Sequence, residues 1–194
     1  MKRLRFLAGV GVVGFVMVFC SNVFAATYEI DAVHSSVEFK IRHLVGRVTG
    51  AFKQFAGMIE FDEANPAAGS VKAKIDVDSI DTRNGDRDHH LRTADFFDTA
   101  NFPKMTFVSK RVDPVAKKII GDLTLHGVTK EVALDYSFNG TAADKKGLQH
   151  LGGSATCVIN RNDFGINYDP TAVMLGNEVT VTLEIEAIAK ASEE

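Results

Sequence analysis

Beyond the first 27 residues, apolar and polar side chains alternate in eight separate stretches: Ser36–His43, Gly50–Asp62, Val71–Asp78, Lys104–Val112, Lys118–His126, Glu131–Phe138, Gly153–Asn160 and Asn177–Ala187. Strict alternation puts one face of a strand in water and the other in apolar contact, so these stretches predict antiparallel strands whose greasy faces close on each other or on a ligand. Val37, Phe39, Ile41 and His43 share one face of the first stretch, opposite Glu38, Lys40 and Arg42. Val71, Ala73, Ile75 and Val77 alternate with Lys72, Lys74, Asp76 and Asp78, and Val179, Val181, Leu183, Ile185 and Ala187 with Thr180, Thr182, Glu184 and Glu186. In Gly50–Asp62 the positions of Phe52, Phe55 and Ile59 break parity around Gly57, which predicts a bulge or bend there. Turns fall at Glu63–Gly69, Asp113-Pro114 and Asn139–Gly147. Strands of about ten residues span roughly 30 Å, so the tube is long.

One polar interval, Asp81–Asp98, interrupts the rhythm. Asn84 can cap a helix over about Gly85–Thr93, with Asp86 and Asp88 at its positive end and Arg92 at its negative end. It runs into Phe96-Phe97, neighbours that must point different ways, and this segment is expected to plug one end of the sheet system. The fold class is therefore all-β: an antiparallel barrel or sandwich with one short helix at an end.

The N-terminus changes the compartment. Lys2, Arg3 and Arg5 precede the uncharged apolar run Phe6–Cys20, and Ser21-Asn22 leads to Val23-Phe24-Ala25, the layout of a cleavable export signal. Cleavage is expected after Ala25, giving a signal peptide at 1–25 and one barrel domain at 26–194, exported to the periplasm. Cys20 follows Phe19 rather than the small residue that lipoprotein processing requires, so no stable membrane anchor is expected. Taking Lys2, Arg3 and Arg5 from 22 lysines and arginines, against 25 acids, deepens the formal charge from −3 to −6, which disfavours nucleic acid as a partner. Cys157 is then the single cysteine; it cannot form an internal disulfide, and its shared parity with Ala155 and Ile159 makes it a buried small hydrophobe.

No nucleophile elbow, Cys-x-x-Cys pair, phosphate-cradling loop or dinucleotide fingerprint is present, and nothing nominates a catalytic group. Among the histidines only His89 and His90 are close in sequence; with Asp86 and Asp88 they could collect a metal, although a solvated, capped helix start explains the same residues. The expectation is no metal and no cofactor. Arg42, Arg47, Arg87 and Arg161 lie near strand or helix ends, where they could grip a polar head group or pair with acids on the rim.

Taken together, His34-Ser35-Ser36-Val37-Glu38-Phe39, Arg42-His43, Phe55-Ala56-Gly57, Arg87-Asp88-His89-His90-Leu91, Phe96-Phe97-Asp98, Phe102-Pro103, the run Gly121–Thr129 and Asn160-Arg161 with Phe164-Gly165 resemble the YceI-like family in order and spacing. The likeness covers about Thr27 to Lys190, with Tyr28 standing where the family's first strand usually has an aromatic. It implies a lipocalin-like, extended eight-stranded antiparallel barrel with one short helix capping an end, whose lumen holds a long isoprenoid or similar amphiphile, in exported bacterial proteins that are often homodimers. On that reading the ligand-contacting set is Val37, Phe39, Ile41, His43, Phe52, Val71, Ala73, Ile75, Val77, Arg87, His90, Phe97, Phe107, Val179, Val181 and Leu183, with His43 and one or more of Arg42, Arg87 and His90 meeting the head. Three or four prenyl units would gain roughly 10 kcal/mol at about 0.8 kcal/mol per buried methylene, before the costs of binding. The competing expectations are a metal-dependent or acid–base enzyme acting on a lipid through His89 and His90, and a solid-cored barrel that works through its surface.

Overall fold

The computed structural model describes residues 25–190; of the expected signal peptide only Ala25 lies among them. Eleven strand segments follow one another: β1 (Ala26–Ile30), β2 (Ser36–His43), β3 (Gly46–Phe52), β4 (Phe55–Phe61), β5 (Ser70–Asp76), β6 (Ile80–Asp81), β7 (Lys104–Asp113), β8 (Lys118–Leu125), β9 (Val128–Ala143), β10 (Gln149–Asn160) and β11 (Leu175–Ala189). Among the described residues a single α-helix, α1 (Gly85–Arg92), lies between β6 and β7. Hydrogen-bonded neighbours run β1-β4-β5-β7-β8-β9-β10-β11 and return from β11 to β1, closing a ring in which each pairing is antiparallel. β2 continues β1 along the same edge of β11, β3 pairs with β2, and β6 pairs with β3. The eleven segments are thus eight staves, the first three each broken once. This is the expected eight-stranded antiparallel barrel with one short helix.

The breaks differ from the sequence expectation. The bend in the second stave falls at Lys53-Gln54 rather than at Gly57, which is paired regularly with Ala73. Gly57 has another role: a Cβ there would lie 2.6 Å from the Lys72 carbonyl oxygen and 2.7 Å from Ile30 Cδ1, so glycine lets the sheet approach closely. Val77 leaves the strand alternation, because the chain turns into a 3-10 segment at Val77–Ser79 with Asp76 as its cap. The two breaks hold each other. Lys53 and Gln54 donate their amides to the Ser79 carbonyl and hydroxyl at 3.1 and 3.0 Å, and Asp76 donates its amide to Gln54 O at 2.8 Å. Asn139–Gly147 is likewise mostly strand: β9 runs to Ala143, and a bulge opposite Gly152 and Gly153 absorbs the irregularity.

Beyond the Asp76–Lys104 pair, β6 and β7 part, and α1 with the following turn fills the wedge. The helix starts where the caps predict: Asn84 Oδ1 accepts from the Arg87 amide at 2.9 Å. Arg92 in its last turn donates to the carbonyls of Asp78 and Ile80, both at 2.9 Å, tying the helix to the broken third stave. Phe96 packs against His90 and Tyr168, while Phe97 meets Phe52 edge-on at 5.9 Å, so the adjacent rings do serve different neighbours. The opposite end is sealed by Tyr28, Leu151 and the fully buried Ala187, with Ile59, Phe61 and Ala189 around them.

That sealed end is bordered by the break in the first stave. Asp31 accepts from the Val33 amide at 2.9 Å and holds His34 Nδ1 at 2.6 Å, while the Ser35 hydroxyl exchanges bonds with the backbone of Glu186. The Asp31 carboxylate raises the pKa of His34 above its ordinary 6.5, and the same bond lowers that of Asp31. A raised imidazole pKa stabilises the fold while the ring is protonated, so this contribution is present below pH 6.5 and fades as pH rises through the folded value. Asp31→Asn should flatten the part of the stability–pH curve that falls above pH 6.5, read as the urea midpoint across a pH series. An unchanged slope would mean that the pair contributes nothing.

Candidate functional site: the bore of the barrel

The inward faces do not meet. One cavity of about 660 Å³ occupies the bore, reaching from Phe61 and Phe138 at the sealed end to His43, His90 and Tyr168 at the helix end. That volume falls within the roughly 300–1,000 Å³ common for small-molecule sites. Fifteen of the sixteen residues expected to contact a ligand line it. Val37, Phe39, Ile41 and His43 come from β2, Phe52 from β3, Val71, Ala73 and Ile75 from β5, and Phe107 from β7. Val179, Val181 and Leu183 come from β11, and Arg87, His90 and Phe97 from α1 and the turn behind it. The exception is Val77, which is 1 % exposed in the core and turned away from the bore by the 3-10 segment. Ala187, also on the inward parity, is spent in the sealed end.

The space survives because large rings are seated on small neighbours. Phe107 is paired across the strands with Ala73, and Phe39 lies over Gly50, where a Cβ would come within 2.4 Å of the ring. β10 contributes Gly153, Ala155 and Cys157 to the wall. Burial in these apolar surroundings pushes the Cys157 thiol up to about 11, so it stays protonated and acts as the small hydrophobe its parity predicted.

Polar groups gather at the helix end. Thr82 is buried and donates its amide to Asp88 Oδ1 at 2.9 Å, and its hydroxyl bonds the same oxygen. That hydroxyl also accepts from Arg87 Nε at 2.7 Å, and Arg87 Nη2 donates to the Thr82 carbonyl at 2.7 Å. Neither bond uses Nη1, so the half-buried guanidinium is held by its neck with a nitrogen to spare at the cavity wall. His90 Nε2 lies 2.9 Å from Asp95 Oδ2, and its ring is edge-on to Phe96 and Tyr168. His43 lines the same end and is exposed.

Two other arginines, Arg161 and Arg42, are engaged by the protein's own backbone. Arg161 is 3 % exposed and donates to the carbonyls of Gly176, Ile166, Asp169 and Leu175 and to Asn177 Oδ1. Arg42 donates to the carbonyls of Leu44, Ala172 and Val173. Backbone oxygens, rather than rim carboxylates, take both. The cavity residues that the sequence did not single out are chiefly Thr82, Tyr168 and Met174. Met105 shares the inward parity of Phe107, and Leu123 is the β8 partner of Phe107, so both were legible by the same rule; Thr82 and Tyr168 lie outside any alternating run and carried no signal.

The helix start does not bring metal ligands together. Asp88 is committed to Thr82, His90 to Asp95, and His89 is exposed. Among the described residues, the group of three potential ligands within reach of one another is Asp31, His34 and Glu186, at the opposite end. Its members are already paired, Asp31 with His34 and Glu186 with His150 Nδ1 at 2.8 Å.

An up-and-down barrel of eight staves, sealed at one end, helix-capped at the other and hollow between, is a lipocalin-like architecture. The family model for the YceI-like domain matches residues 28–187, and the chain belongs to that family. A UPF0312 protein of Staphylococcus aureus (strain MSSA476) is 41 % identical over 158 residues, covering 78 % of this chain and 91 % of the relative. Among solved structures, the Campylobacter jejuni YCEI protein is 33 % identical with a TM-score of 0.71, covering 77 % of this chain and 90 % of its own. A polyisoprenoid binding domain from Saccharophagus degradans, implicated in plant cell wall breakdown, shares the fold at 19 % identity and a TM-score of 0.67, covering 86 % and 99 %.

Proposed function

We propose that the protein is a non-enzymatic carrier or reservoir, exported to the periplasm, that holds a polyisoprenoid or a similar long amphiphile such as an isoprenoid quinone in its bore. The observation that carries this reading is the cavity itself: about 660 Å³ walled by aliphatic and aromatic side chains from all eight staves, with Arg87, His90 and His43 at the helix end. A slender apolar chain fits such a tube, and its desolvation supplies the affinity. The binding described for the Saccharophagus relative supports the ligand class. Arg87, with its unused Nη1, and His90 and His43 beside it would meet the head group. Homodimerisation is proposed on the family resemblance.

The test is organic extraction of freshly purified protein followed by mass spectrometry, with wild type and Arg87→Ala compared. Wild type should yield a prenyl lipid near stoichiometry, and Arg87→Ala should retain about tenfold less of any phosphorylated or quinone-headed species. Absence of extractable lipid, together with no uptake of added polyprenol, would exclude the carrier reading. Equal retention by the variant would move the head group away from α1.

A further inference from the structure

Next to the helix end of the bore, two loops carry side chains that no soluble surface needs. Leu44 and Val45 form the tip of the β2–β3 hairpin, and Val173 and Met174 lie in the loop before β11. Val45 and Val173 are 107 % and 69 % exposed, and Leu44 and Met174 about half exposed. They make one patch. Leu44 donates its amide to Met174 O at 2.6 Å, and Arg42 clamps both loops through the carbonyls of Leu44, Ala172 and Val173. Two-residue hairpin tips favour Asn-Gly or Asp-Gly, because left-handed backbone is costly for other residues. Here an aliphatic residue, Leu44, occupies that conformation at φ 49°.

The charged residues of the hairpin directly beneath the tip, Arg42 and Arg47, are both basic. Arg42 and Arg47 face each other across the hairpin in register, an arrangement that repels unless an anion lies between or above them. Lys40 follows on the same outward face as Arg42, and none of the three forms an ion pair among the described residues. The acid in the neighbouring loop, Asp169, is engaged by Thr171 Oγ1 and by the amides of Met174 and Leu175. An apolar tip above a cationic collar is the layout of a surface that inserts among acyl chains and rests on phosphate. Met174 and His43 belong at once to this tip and to the cavity wall.

We infer that Leu44, Val45, Val173 and Met174, with Arg42 and Arg47 below them, form a docking tip for an anionic phospholipid bilayer, which presents the helix end of the bore to the membrane. This rests on the carrier reading for its purpose, but it is tested separately. The protein, in the form the cell produces, is floated with vesicles of phosphatidylethanolamine and phosphatidylglycerol, or of phosphatidylcholine alone. It should bind the anionic vesicles and lose that binding about tenfold on raising salt, as it should in Arg47→Gln. Val45→Asp combined with Val173→Asp should lower binding by at least about a hundredfold while far-UV circular dichroism and extractable lipid stay unchanged.

No binding by wild type, equal binding by the double variant, or equal binding to phosphatidylcholine would each overturn the inference. So would sedimentation showing that the tip joins two copies of the chain and that the double variant separates them. The carrier reading fails on a different measurement, an empty extract, and vesicle binding would then stand without a cargo.

Discussion

Val181→Trp is expected to empty the barrel of lipid while leaving the barrel itself standing. Val181 projects into the bore from β11, opposite Phe39 on one side and Cys157 on the other. An indole there occupies space that a ligand chain would need, and a tail displaced from the bore loses about 0.8 kcal/mol for each methylene left in water. Extractable lipid should fall to less than about a tenth of wild type. Overpacking a filled core costs roughly 1–3 kcal/mol, but here the ring enters existing space, so stability should change by about 1 kcal/mol or less. The chain has no tryptophan of its own, which makes the new side chain a clean reporter: blue-shifted emission would place it inside. Val158→Trp, on the outer face of β10 where Val158 is 60 % exposed, should leave lipid content unchanged. Full lipid content in Val181→Trp with blue-shifted emission would mean that the ligand binds elsewhere.

Removing Arg161 should have the largest effect on stability. Its guanidinium is buried and makes five hydrogen bonds to the loop that follows β10 and to the start of β11, four of them to backbone carbonyls. Desolvation lowers its pKa from the ordinary value, yet arginine stays charged at any working pH. Arg161→Ala strands those carbonyls away from water, at a cost of about 3–4 kcal/mol, or roughly 10 °C in Tm for a domain of this size. Arg161→Lys should recover only a minor part, because a point charge cannot span acceptors spread around a planar fork. Chemical denaturation gives the magnitude, and limited proteolysis should show new cuts near residues 166–174 before the barrel opens. A loss below about 1 kcal/mol in Arg161→Ala would show that water replaces the guanidinium and that the cage is not structural.

Most of the barrel wall was readable because each strand's two faces are fixed by parity alone. Val37-Phe39-Ile41 on β2 and Val179-Val181-Leu183 on β11 point inward for that reason, and they meet in register as Val37–Leu183 and Phe39–Val181. The helix was readable from its caps. The rule failed at Val77, where the strand gives way to a 3-10 turn stitched to Lys53 and Gln54 from another stave. It failed again at Gly57, whose glycine answers to the close approach of Ile30 and the Lys72 backbone, not to a bend. Both misreadings come from contacts between segments distant in sequence. The polar end of the bore was half legible: Arg87 and His90 stood out as charged groups on a capped helix, whereas Thr82 matters only because Arg87 and Asp88 converge on it.

The amino-acid order determined, through its period of two, that strands would be half-greasy and that their greasy faces must be covered, and it determined where one helix would start. Only the tertiary structure decided that the covering would be incomplete. The bore's volume depends on how the broken first three staves curve, on which rings land over Gly50 and Ala73, and on Arg161 spending itself on carbonyls instead of reaching a ligand. Alternation is a local property that a single strand expresses by itself; empty space is shared among eight strands, and exists only once they close.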